Sequence, residues 1–394
     1  MRMESAAIAG AGIAGLAAAL GLAKTGLEVA LADRRTALSE AGAGLQVSPN
    51  ALKALGWLGL EERMRAIASR PDALIVRRYG DASTLTAIPA SAIEQKFGAP
   101  YLTVHRAELQ GLLLDAVRTH PAIALHLDTQ IFGFAGGAAL TAADDDGLKG
   151  ALGVVADGVH SQLRPYIAGF DQPRFTHEVA YRGLIPADRL DTDAFLSSVT
   201  VVMGPGTHLV AYPVNQGRAV NLVVVTGETR WSEPGWSALA DRGRFVGLFD
   251  KWASPFQRLA EAVEGPTRWA LFDRTVPGQW SKDGQIIVGD AAHAMLPHQA
   301  QGAALALEDA VILARLVEAG LPLERFGDLR AKRCATMAAA ARRNGRLYQI
   351  GPGPLARGRD FGLEQILRVR PDFLIDRFES AWRYDPATVT LDPS

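Results

Sequence analysis

The chain has 394 residues, of which 48% are hydrophobic and 21% are charged, and its net charge at pH 7 is −1. This composition is typical of a globular protein with a sizeable core, long enough for two domains or for one large domain with an insertion. The near-zero charge gives no electrostatic basis for binding nucleic acid or an anionic membrane surface. The single cysteine, Cys334, excludes an internal disulfide framework and fits a reducing compartment. We therefore expect a cytoplasmic protein.

An apolar strand near the start of the chain runs directly into a glycine-rich turn. This turn is the G-x-G-x-x-G of Gly10, Gly12 and Gly15, and an alanine-rich helix follows it to about residue 25. Gly10 permits a tight turn, Gly12 lets backbone N–H groups approach a pyrophosphate, and Gly15 lets the helix pack closely on the strand. Asp33 follows about 20 residues later, at a distance that suits a ribose hydroxyl. The pattern favours a dinucleotide site over a purely structural turn.

Two later strands also end on acidic residues. Residues 152–155 form an apolar run followed by Asp157, and residues 285–288 form another that leads to Asp290. Ligands of open α/β sheets bind at the carboxyl ends of the strands. A helix predicted from about residue 303 directs its N-terminus, with a partial positive charge, toward the second of these loops. The chain holds only one G-x-G-x-x-G, so we expect one dinucleotide site and no second Rossmann domain.

A predicted strand in the middle of the chain carries a histidine and a tyrosine four residues apart. His208 and Tyr212 share one face of this strand, because side chains alternate along it. Such a face is either the wall of a polar pocket or a solvent-exposed surface. Arg106, at the start of another predicted helix, is likewise either a surface cation or a ligand contact.

Three other features have an ordinary structural interpretation. The arginine-rich helix over residues 325–350 is interpreted as a solvated face, because charge runs on helices usually are. His293 is interpreted as a loop residue that bonds to backbone. Ser48 or Asn50 is predicted to cap the helix that begins at residue 51. The sequence contains no internal repeat and no metal-ligand spacing, so we predict no metal.

Together, these motifs resemble those of the single-component FAD-dependent aromatic hydroxylases, the group A flavoprotein monooxygenases. The resemblance rests on the G-x-G-x-x-G, on the Asp-Gly at Asp157 and on the Gly-Asp-Ala-Ala-His over residues 289–293. These motifs occur in the family's order, and the resemblance covers nearly the whole chain. Within the family, the salicylate, 3-hydroxybenzoate and 6-hydroxynicotinate hydroxylases are the most similar, through residues 42–50, 104–109 and 297–302.

The resemblance implies an α/β fold. In this fold a Rossmann-type FAD-binding domain is interleaved with a mainly antiparallel β-sheet substrate domain and is followed by a C-terminal helical segment. The predicted segments are 1–72, 101–174 and 276–348 for the FAD-binding domain, 73–100 and 175–275 for the substrate domain, and 349–394 for the helical segment.

The resemblance also implies a tightly bound, non-covalent FAD, with NADH or NADPH as a transient electron donor. Asp33 would hold the FAD ribose, Asp157 would serve a dual FAD and nicotinamide motif, and Asp290 would hold the ribityl chain. The other residues assigned to cofactor binding are Gly10, Gly12, Ala14, Gly15, Arg34, Gln46, Arg106, Gly302 and Ala303.

The implied reaction is hydroxylation of a small phenolic or hydroxypyridine carboxylate by O₂ through a flavin C4a-hydroperoxide. His208 would take the proton of the phenol, with Tyr212 or His298 orienting the hydroxyl. Pro297 would lie by the C4a edge of the flavin. The 6-hydroxynicotinate type has a histidine at the position of Gln46, so Gln46 either contacts a different substrate or only satisfies its own loop. The residues assigned to the substrate are Gln46, Met203, His208, Tyr212 and His298.

Two other classes of protein fit the same fold. One is a flavoprotein with another reaction, such as a reductase or a halogenase-like enzyme, and the other is an FAD-binding protein without oxygenase activity. Halogenases of this fold carry a W-x-W-x-I-P motif, which residues 231–236 do not match. The expected partners are a small aromatic or heteroaromatic acid and O₂, without nucleic acid or membrane, and the expected state is a monomer or homodimer.

Overall fold

The computed structural model describes residues 3–38, 44–135, 137–142, 147–233, 235–351, 353–370 and 372–391. Residues 42 and 43, which begin one of the motifs quoted above, lie outside the described residues. Within the described part, the chain forms strands in two large and two small sheets, with helices packed around them.

The β-strands of the described residues are numbered in chain order. They are β1 (Ser5–Ala9), β2 (Glu28–Ala32), β3 (Gly44–Val47), β4 (Ala73–Arg78), β5 (Thr84–Pro89), β6 (Leu102–His105), β7 (Ile123–His126), β8 (Ile131–Phe134), β9 (Leu140–Ala142), β10 (Leu152–Val155), β11 (Arg174–Pro186), β12 (Ser198–Gly204), β13 (Thr207–Val214), β14 (Ala219–Gly227), β15 (Ser237–Leu239), β16 (Thr267–Asp273), β17 (Ser281–Lys282) and β18 (Gln285–Ile287).

The helices of the described residues are numbered in the same way, and two short 3-10 turns lie at Ala187–Arg189 and Asp193–Phe195. Among the described residues, no helix combines the length and the apolarity that crossing a membrane requires. The α-helices are α1 (Ile13–Lys24), α2 (Pro49–Trp57), α3 (Glu61–Ile67), α4 (Ala90–Phe97), α5 (Arg106–Thr119), α6 (Arg164–Ala168), α7 (Arg242–Gly247), α8 (Ser254–Ala262), α9 (Asp290–His293), α10 (Gly302–Glu318), α11 (Glu324–Tyr348), α12 (Pro354–Val369), α13 (Phe373–Asp376) and α14 (Glu379–Trp382).

The first large sheet has six strands in the order β17-β18-β10-β1-β2-β7. All its pairings are parallel except that of β17 with β18. β1 and β10 are buried on both faces because helices cover the sheet, which explains their continuous apolar sequences. In register, Ala9 pairs with Val155, and Val155 pairs with Ile287. The carboxyl ends of β1, β10 and β18 therefore meet at one edge of the sheet, where the sequence predicts a ligand.

The second large sheet has eight strands in the order β15-β16-β11-β14-β13-β12-β4-β5. Its pairings are antiparallel except for the parallel pairing of β12 with β4. One face packs on α7 and α8 through buried aromatic residues such as Phe245, Trp252 and Phe256. The predicted α/β fold, with a Rossmann-type sheet and a mainly antiparallel sheet, is confirmed. The exact domain boundaries stay a prediction.

The predicted solvated face of the arginine-rich helix is wrong for Arg330. The Arg330 side chain on α11 is fully buried, with Nε 2.7 Å from Asp309 Oδ1 and Nη1 2.8 Å from Glu308 Oε2. Arg333 donates to the same Glu308 carboxylate. The reason is tertiary: α10 presents two buried acids toward α11, and buried carboxylates require cationic partners.

The predicted cap of α2 is confirmed in its position, because Ser48 is the N-cap residue, but not in its hydrogen bond. Neither Ser48 nor Asn50 makes a side-chain cap bond. The Ser48 hydroxyl donates to Asn50 Oδ1 at 2.7 Å, and Asn50 Nδ2 donates to Gln301 Oε1 at 2.9 Å and Glu308 Oε1 at 2.7 Å. These side chains therefore tie α2 to α10 instead of satisfying the first turn of their own helix.

Replacing Arg330 by methionine should destabilise the protein by about 3–5 kcal/mol, because it leaves buried carboxylates without this cation. The thermal unfolding midpoint of the FAD-loaded protein measures the effect. The matched control is Lys332→Met, at an exposed position of the same helix. Equal unfolding midpoints for the two variants would contradict the structural role of Arg330.

Candidate active site

A cavity of about 370 Å³ lies between the two large sheets. One end is lined by Gly12, Ile13 and Ala14, where β1 passes into α1. The other end is lined by side chains of the eight-stranded sheet, including His208 and Tyr212. The two parts of the predicted site, which are nearly 200 positions apart in the chain, therefore open into the same space.

The glycine fingerprint has the geometry that a pyrophosphate site requires. Gly10 has a φ of +102°, which L side chains rarely adopt. A Cβ on Gly15 would lie 1.7 Å from the carbonyl oxygen of Gly10, so α1 can approach the turn only with glycine there. A Cβ on Gly12 would meet no atom within 4 Å, because Gly12 faces the open cavity. The three glycines thus have different roles, and Gly12 is the one that faces a ligand.

Two helix N-termini point into the cavity. Gly12 is the N-cap residue of α1, and Gly302 and Ala303 begin α10, which has 17 residues. The partial positive charge at each N-terminus stabilises anionic groups. An elongated ligand with a pyrophosphate near α1 and an electron-rich ring near α10, such as FAD, fits this arrangement.

The predicted acids occupy different positions relative to this cavity. Asp290 lines it. Asp33 lies at the end of β2, where Oδ2 accepts the N–H of Ala11 at 2.7 Å and Oδ1 accepts Arg35 Nε at 2.9 Å. Burial would raise the pKa of Asp33, but the hydrogen bonds from Arg35 and Ala11 lower it, so this carboxylate is ionised. A ribose hydroxyl would share it with Arg35.

Asp157 organises the turn that follows β10. Its Oδ2 accepts the N–H groups of Gln162 at 2.9 Å and Leu163 at 3.3 Å. Burial raises the pKa of this carboxyl despite these bonds. Among the described residues, its Oδ1 has no hydrogen-bond partner. The neighbouring Ala156 and Gly158 line the cavity. Asp157 itself does not line it, but its hydrogen bonds fix the turn that carries these two residues.

The loop after β18 is held in place by buried side chains. Arg164 Nη1 donates to the carbonyl oxygens of Ala291 and Ala292, each at 2.8 Å. His293 Nε2 lies 2.7 Å from Asp309 Oδ2, so the predicted bond of His293 to backbone is wrong and its partner is a carboxylate. Burial alone would lower the pKa of His293, but Cys334 and Asp309 raise it well above its usual value. His293 and Asp309 therefore form a buried ion pair.

His293, Asp309 and Cys334 offer ligand-type atoms that all lie within 4.8 Å of one another. The Asp309 carboxylate, however, already accepts the N–H of Gly289 at 2.8 Å and Arg330 Nε at 2.7 Å. A guanidinium on the same carboxylate repels a metal cation. We therefore interpret this cluster as an ion-pair network that fixes the loop.

One face of the eight-stranded sheet forms the end of the cavity opposite the glycine fingerprint. Side chains that are paired across neighbouring strands share a face, and the pairs His208–Val225 and Val201–Val210 both line the cavity. Met203 pairs with His208 and is buried, but it does not line the cavity. The wall is therefore apolar around a few polar side chains.

His208 is surrounded by other rings. Its centroid lies 5.0 Å from that of His298 and 5.3 Å from that of Tyr348. Burial, and secondarily His298, holds the pKa of His208 well below its usual value of 6.5. His208 is therefore a neutral imidazole at pH 7, and a neutral imidazole can accept a proton.

Three phenols lie near the same end of the cavity. Burial raises the pKa values of Tyr101, Tyr212 and Tyr348 above the usual 10.0, so all three stay protonated. The Tyr101 hydroxyl donates to Oε1 of Gln46, which also lines the cavity. Gln46 is thus a polar wall residue held by a tyrosine.

The structure brings most of the predicted site residues to this cavity. The exceptions lie behind its wall or at the surface, as Arg34 does. Residues that the sequence analysis did not select also line the cavity. Arg182 could have been predicted from its sequence position, because it is a charged residue at an inward-facing position of a buried strand. The predicted residues that line the cavity are Gly12, Ala14, Gln46, Arg106, His208, Tyr212, Asp290, Pro297, His298, Gly302 and Ala303; those that do not are Gly10, Gly15, Asp33, Arg34, Asp157 and Met203; the additional lining residues include Tyr101, Arg182, Val223 and Tyr348.

The geometry is that of a dinucleotide site that opens into a buried pocket of aromatic and histidine side chains. Residues 3–322 match the FAD binding domain family. The chain is 35% identical to a 3-amino-4-hydroxybenzoate 2-monooxygenase of Streptomyces platensis over 394 aligned residues, which cover 95% of this chain and 96% of the relative. It is 33% identical to a 3-hydroxybenzoate 6-hydroxylase of Aquipseudomonas alcaligenes, with 85% of each chain covered.

A solved structure, a salicylate hydroxylase substrate complex, superposes with a TM-score of 0.80 and 26% identity, covering 98% of this chain and 99% of the other. The chain therefore belongs to the family of FAD-dependent aromatic hydroxylases. It is an FAD-dependent aromatic monooxygenase. The comparisons therefore favour this class over the reductase, halogenase-like and non-oxygenase alternatives.

The different roles of Gly12 and Gly15 can be separated by substitution. Gly12→Ala should leave the thermal unfolding midpoint of the apoprotein unchanged but raise the Kd for FAD at least about tenfold, because the new methyl group enters the ligand space. Gly15→Ala should lower the unfolding midpoint of the apoprotein itself, because its Cβ meets backbone. Fluorescence titration with FAD and thermal unfolding measure the two effects. Wild-type FAD affinity in Gly12→Ala would contradict the assignment.

Proposed function

We propose that this enzyme hydroxylates a small phenolic or hydroxypyridine carboxylate, with NAD(P)H as the electron donor and O₂ as the oxygen source. The observation that carries the proposal is a cavity that two helix N-termini share with a sheet wall carrying His208, Tyr212 and Arg182. The relatives named for 3-amino-4-hydroxybenzoate and 3-hydroxybenzoate act on rings that carry both a hydroxyl and a carboxylate. The wall offers a partner for each of these groups.

His208 is the proposed base for the ring hydroxyl. It is 2% exposed and neutral at pH 7, so it can take the phenolic proton. Removing this proton makes the ring electron-rich at the ortho and para carbons, where an electrophilic oxygen attacks. Tyr212 lies four residues along the same strand and stays protonated, so its hydroxyl can orient the oxygen of the substrate.

Arg182 is the proposed partner of the substrate carboxylate. It lies on β11, lines the cavity, and its guanidinium carbon is 4.9 Å from the ring centroid of Trp269. Stacking on Trp269 holds the plane of the guanidinium, and a fixed guanidinium binds a carboxylate through two N–H donors. Its positive charge also acts on Tyr212, which locates it at the same end of the cavity.

Apolar side chains complete the wall and limit access of water. They come from alternating positions of β12, β13 and β14. Apolar surroundings that exclude water protect a reactive oxygen intermediate from hydrolysis. These side chains are Val199, Val201, Val210, Val223 and Val225.

Residues at the other end of the cavity would hold the cofactor. The backbone at Gly12 and the N-terminus of α1 would bind the pyrophosphate, and Asp290, Pro297 and the N-terminus of α10 would surround the flavin. Bound FAD, once reduced, supplies the activation of O₂ and the delivery of an oxygen atom to the ring. The protein positions the substrate, removes its proton and excludes water.

The test is a panel of hydroxybenzoates and hydroxypyridine carboxylates offered to the FAD-loaded enzyme. We expect at least one of them to stimulate NADH or NADPH oxidation and to yield a ring-hydroxylated product detected by mass spectrometry. Stimulated oxidation that yields only hydrogen peroxide across the panel would contradict the proposal.

His208→Gln removes the proton acceptor while keeping a polar side chain at this position. We expect the variant to retain FAD and to form hydroxylated product at least about 100-fold more slowly at pH 7. In the wild-type enzyme, His208 must be neutral to act as the base. Because burial lowers its pKa, activity should fall on the acid side of the pH profile only below pH 6.5. The control is His126→Gln, on an exposed position of β7. Wild-type product formation in His208→Gln would exclude His208 as the base.

Arg182→Met should raise the KM of the acid substrate about 10- to 100-fold, because a charge-assisted hydrogen bond is lost. The KM of the corresponding primary amide, which carries no charge, should change little. Steady-state kinetics with the acid and amide measures the difference. The matched control is Arg258→Met, on α8, where Arg258 pairs with Asp191. An equal change for acid and amide would assign Arg182 another role.

A further inference from the structure

Glu178 lies beside an irregularity in β11. The register of β11 with β16 shifts between Phe175 and Val179, and His177 has a φ of +60°, in the left-handed region. Bulges of this kind redirect neighbouring side chains and are common next to active sites. Beyond the bulge, Glu178 and Arg182 lie at alternating positions of β11, and both side chains reach the side of the sheet that faces the cavity.

The Glu178 carboxylate contacts a pocket histidine. Glu178 Oε2 lies 2.7 Å from Nε2 of His298, whose side chain is fully buried, while that of Glu178 is 16% exposed. α11 packs directly on this ring: a Cβ on Gly345 would lie 2.5 Å from His298 Cδ2 and 2.7 Å from Nε2. Only glycine leaves room for the ring here, so its orientation toward Glu178 is fixed.

His298 connects Glu178 to the proposed base. The ring centroids of His298 and His208 are 5.0 Å apart at an angle of 64°. Among the described residues, the Nδ1 atoms of both rings have no hydrogen-bond partner. The other ionisable groups around the pair are Arg182 on β11, Tyr212 on β13 and Tyr348 on α11.

These surroundings make a proton difficult to keep on His208. Burial lowers the pKa of His208 and the burial of Tyr348 raises its pKa, so Tyr348 stays a neutral phenol and offers no negative charge. These contacts lead through His298 to the Glu178 carboxylate, which is partly exposed. A proton taken from the substrate therefore needs a route from His208 toward the Glu178 carboxylate.

We propose that Glu178 is a positioning residue that, through His298, gives the proton of the substrate hydroxyl a path from His208 to solvent. This inference rests on the proposed function. The O–H bond of the substrate breaks as an N–H bond forms on His208. Because the two rings share no direct hydrogen bond, that proton passes through a bridging water to Nδ1 of His298. The proton on Nε2 of His298 passes to Glu178 and then to solvent. One proton leaves the site and no electron moves.

The test uses Glu178→Gln in the FAD-loaded enzyme, with 3-hydroxy-4-nitrobenzoate as the probe, because its phenolate absorbs visible light. We expect the apparent pKa of the bound phenol to rise by about one pH unit relative to the wild-type enzyme, because without the Glu178 carboxylate the His208–His298 pair holds the proton given up by the phenol less well. Hydroxylation of the best panel substrate should fall about tenfold at pH 7, because the proton leaves the site more slowly. The acid limb that His208 causes should move to lower pH, because a charge that favours the imidazolium is lost. Flavin reduction by NADH should not change.

Two further variants separate this role from a structural one. Glu178→Asp keeps the charge, so the pKa of the bound phenol should stay close to its wild-type value. Glu228→Gln is the control, because Glu228 is 17% exposed and pairs with Arg244 at 2.6 Å, away from the cavity lining; we expect it to behave as the wild-type enzyme does.

Three outcomes are decisive against the proposal. Wild-type titration and pH profile in Glu178→Gln, with His208 still required, would overturn the proton path and leave the proposed function intact. Loss of FAD in both Glu178 variants would show a structural residue and overturn it too. A wild-type enzyme that neither binds the probe nor hydroxylates any panel acid would overturn the proposed function itself.

Discussion

The structure depends on a buried ion-pair network centred on two adjacent acids of α10. Glu308 accepts hydrogen bonds from Asn50 and Arg330, and Asp309 accepts from Gly289, His293 and Arg330. The donors belong to three segments: the start of α2, the segment after β18, and α11. Removing Arg330 takes a cation from both carboxylates, in a buried medium where incompletely paired charges are strongly unfavourable. The network therefore holds together the segments that surround the cavity.

Because these segments are fixed, the cavity brings two kinds of chemistry together. The six-stranded sheet contributes strand ends and the N-termini of α1 and α10, which suit the phosphates and the ring of FAD. The eight-stranded sheet contributes a mostly apolar wall with an imidazole, a phenol and a guanidinium. A rigid wall suits a reaction in which an oxygen atom must reach one ring carbon while water stays out.

Much of this organisation could be predicted from the sequence, because local patterns determine it. The glycine spacing, the apolar strands ending on acids, and the shared face of His208 and Tyr212 depend on residues close together in the chain. The partners of Arg330 and His293 could not be predicted, because they lie on a neighbouring helix and are chosen by packing. Glu178 was missed for a similar reason: its partner His298 is 120 positions away in the chain and is chosen by packing.

The most direct measurement combines oxygen-18 gas, NADH, the FAD-loaded enzyme and a panel of hydroxybenzoates and hydroxypyridine carboxylates. We expect a product with one oxygen-18 atom in a new ring hydroxyl, formed in proportion to the NADH oxidised, because the reduced cofactor transfers one atom of O₂ to the ring. Unlabelled product, or NADH oxidation that yields only labelled hydrogen peroxide with every acid, would contradict a site built to hydroxylate an aromatic acid.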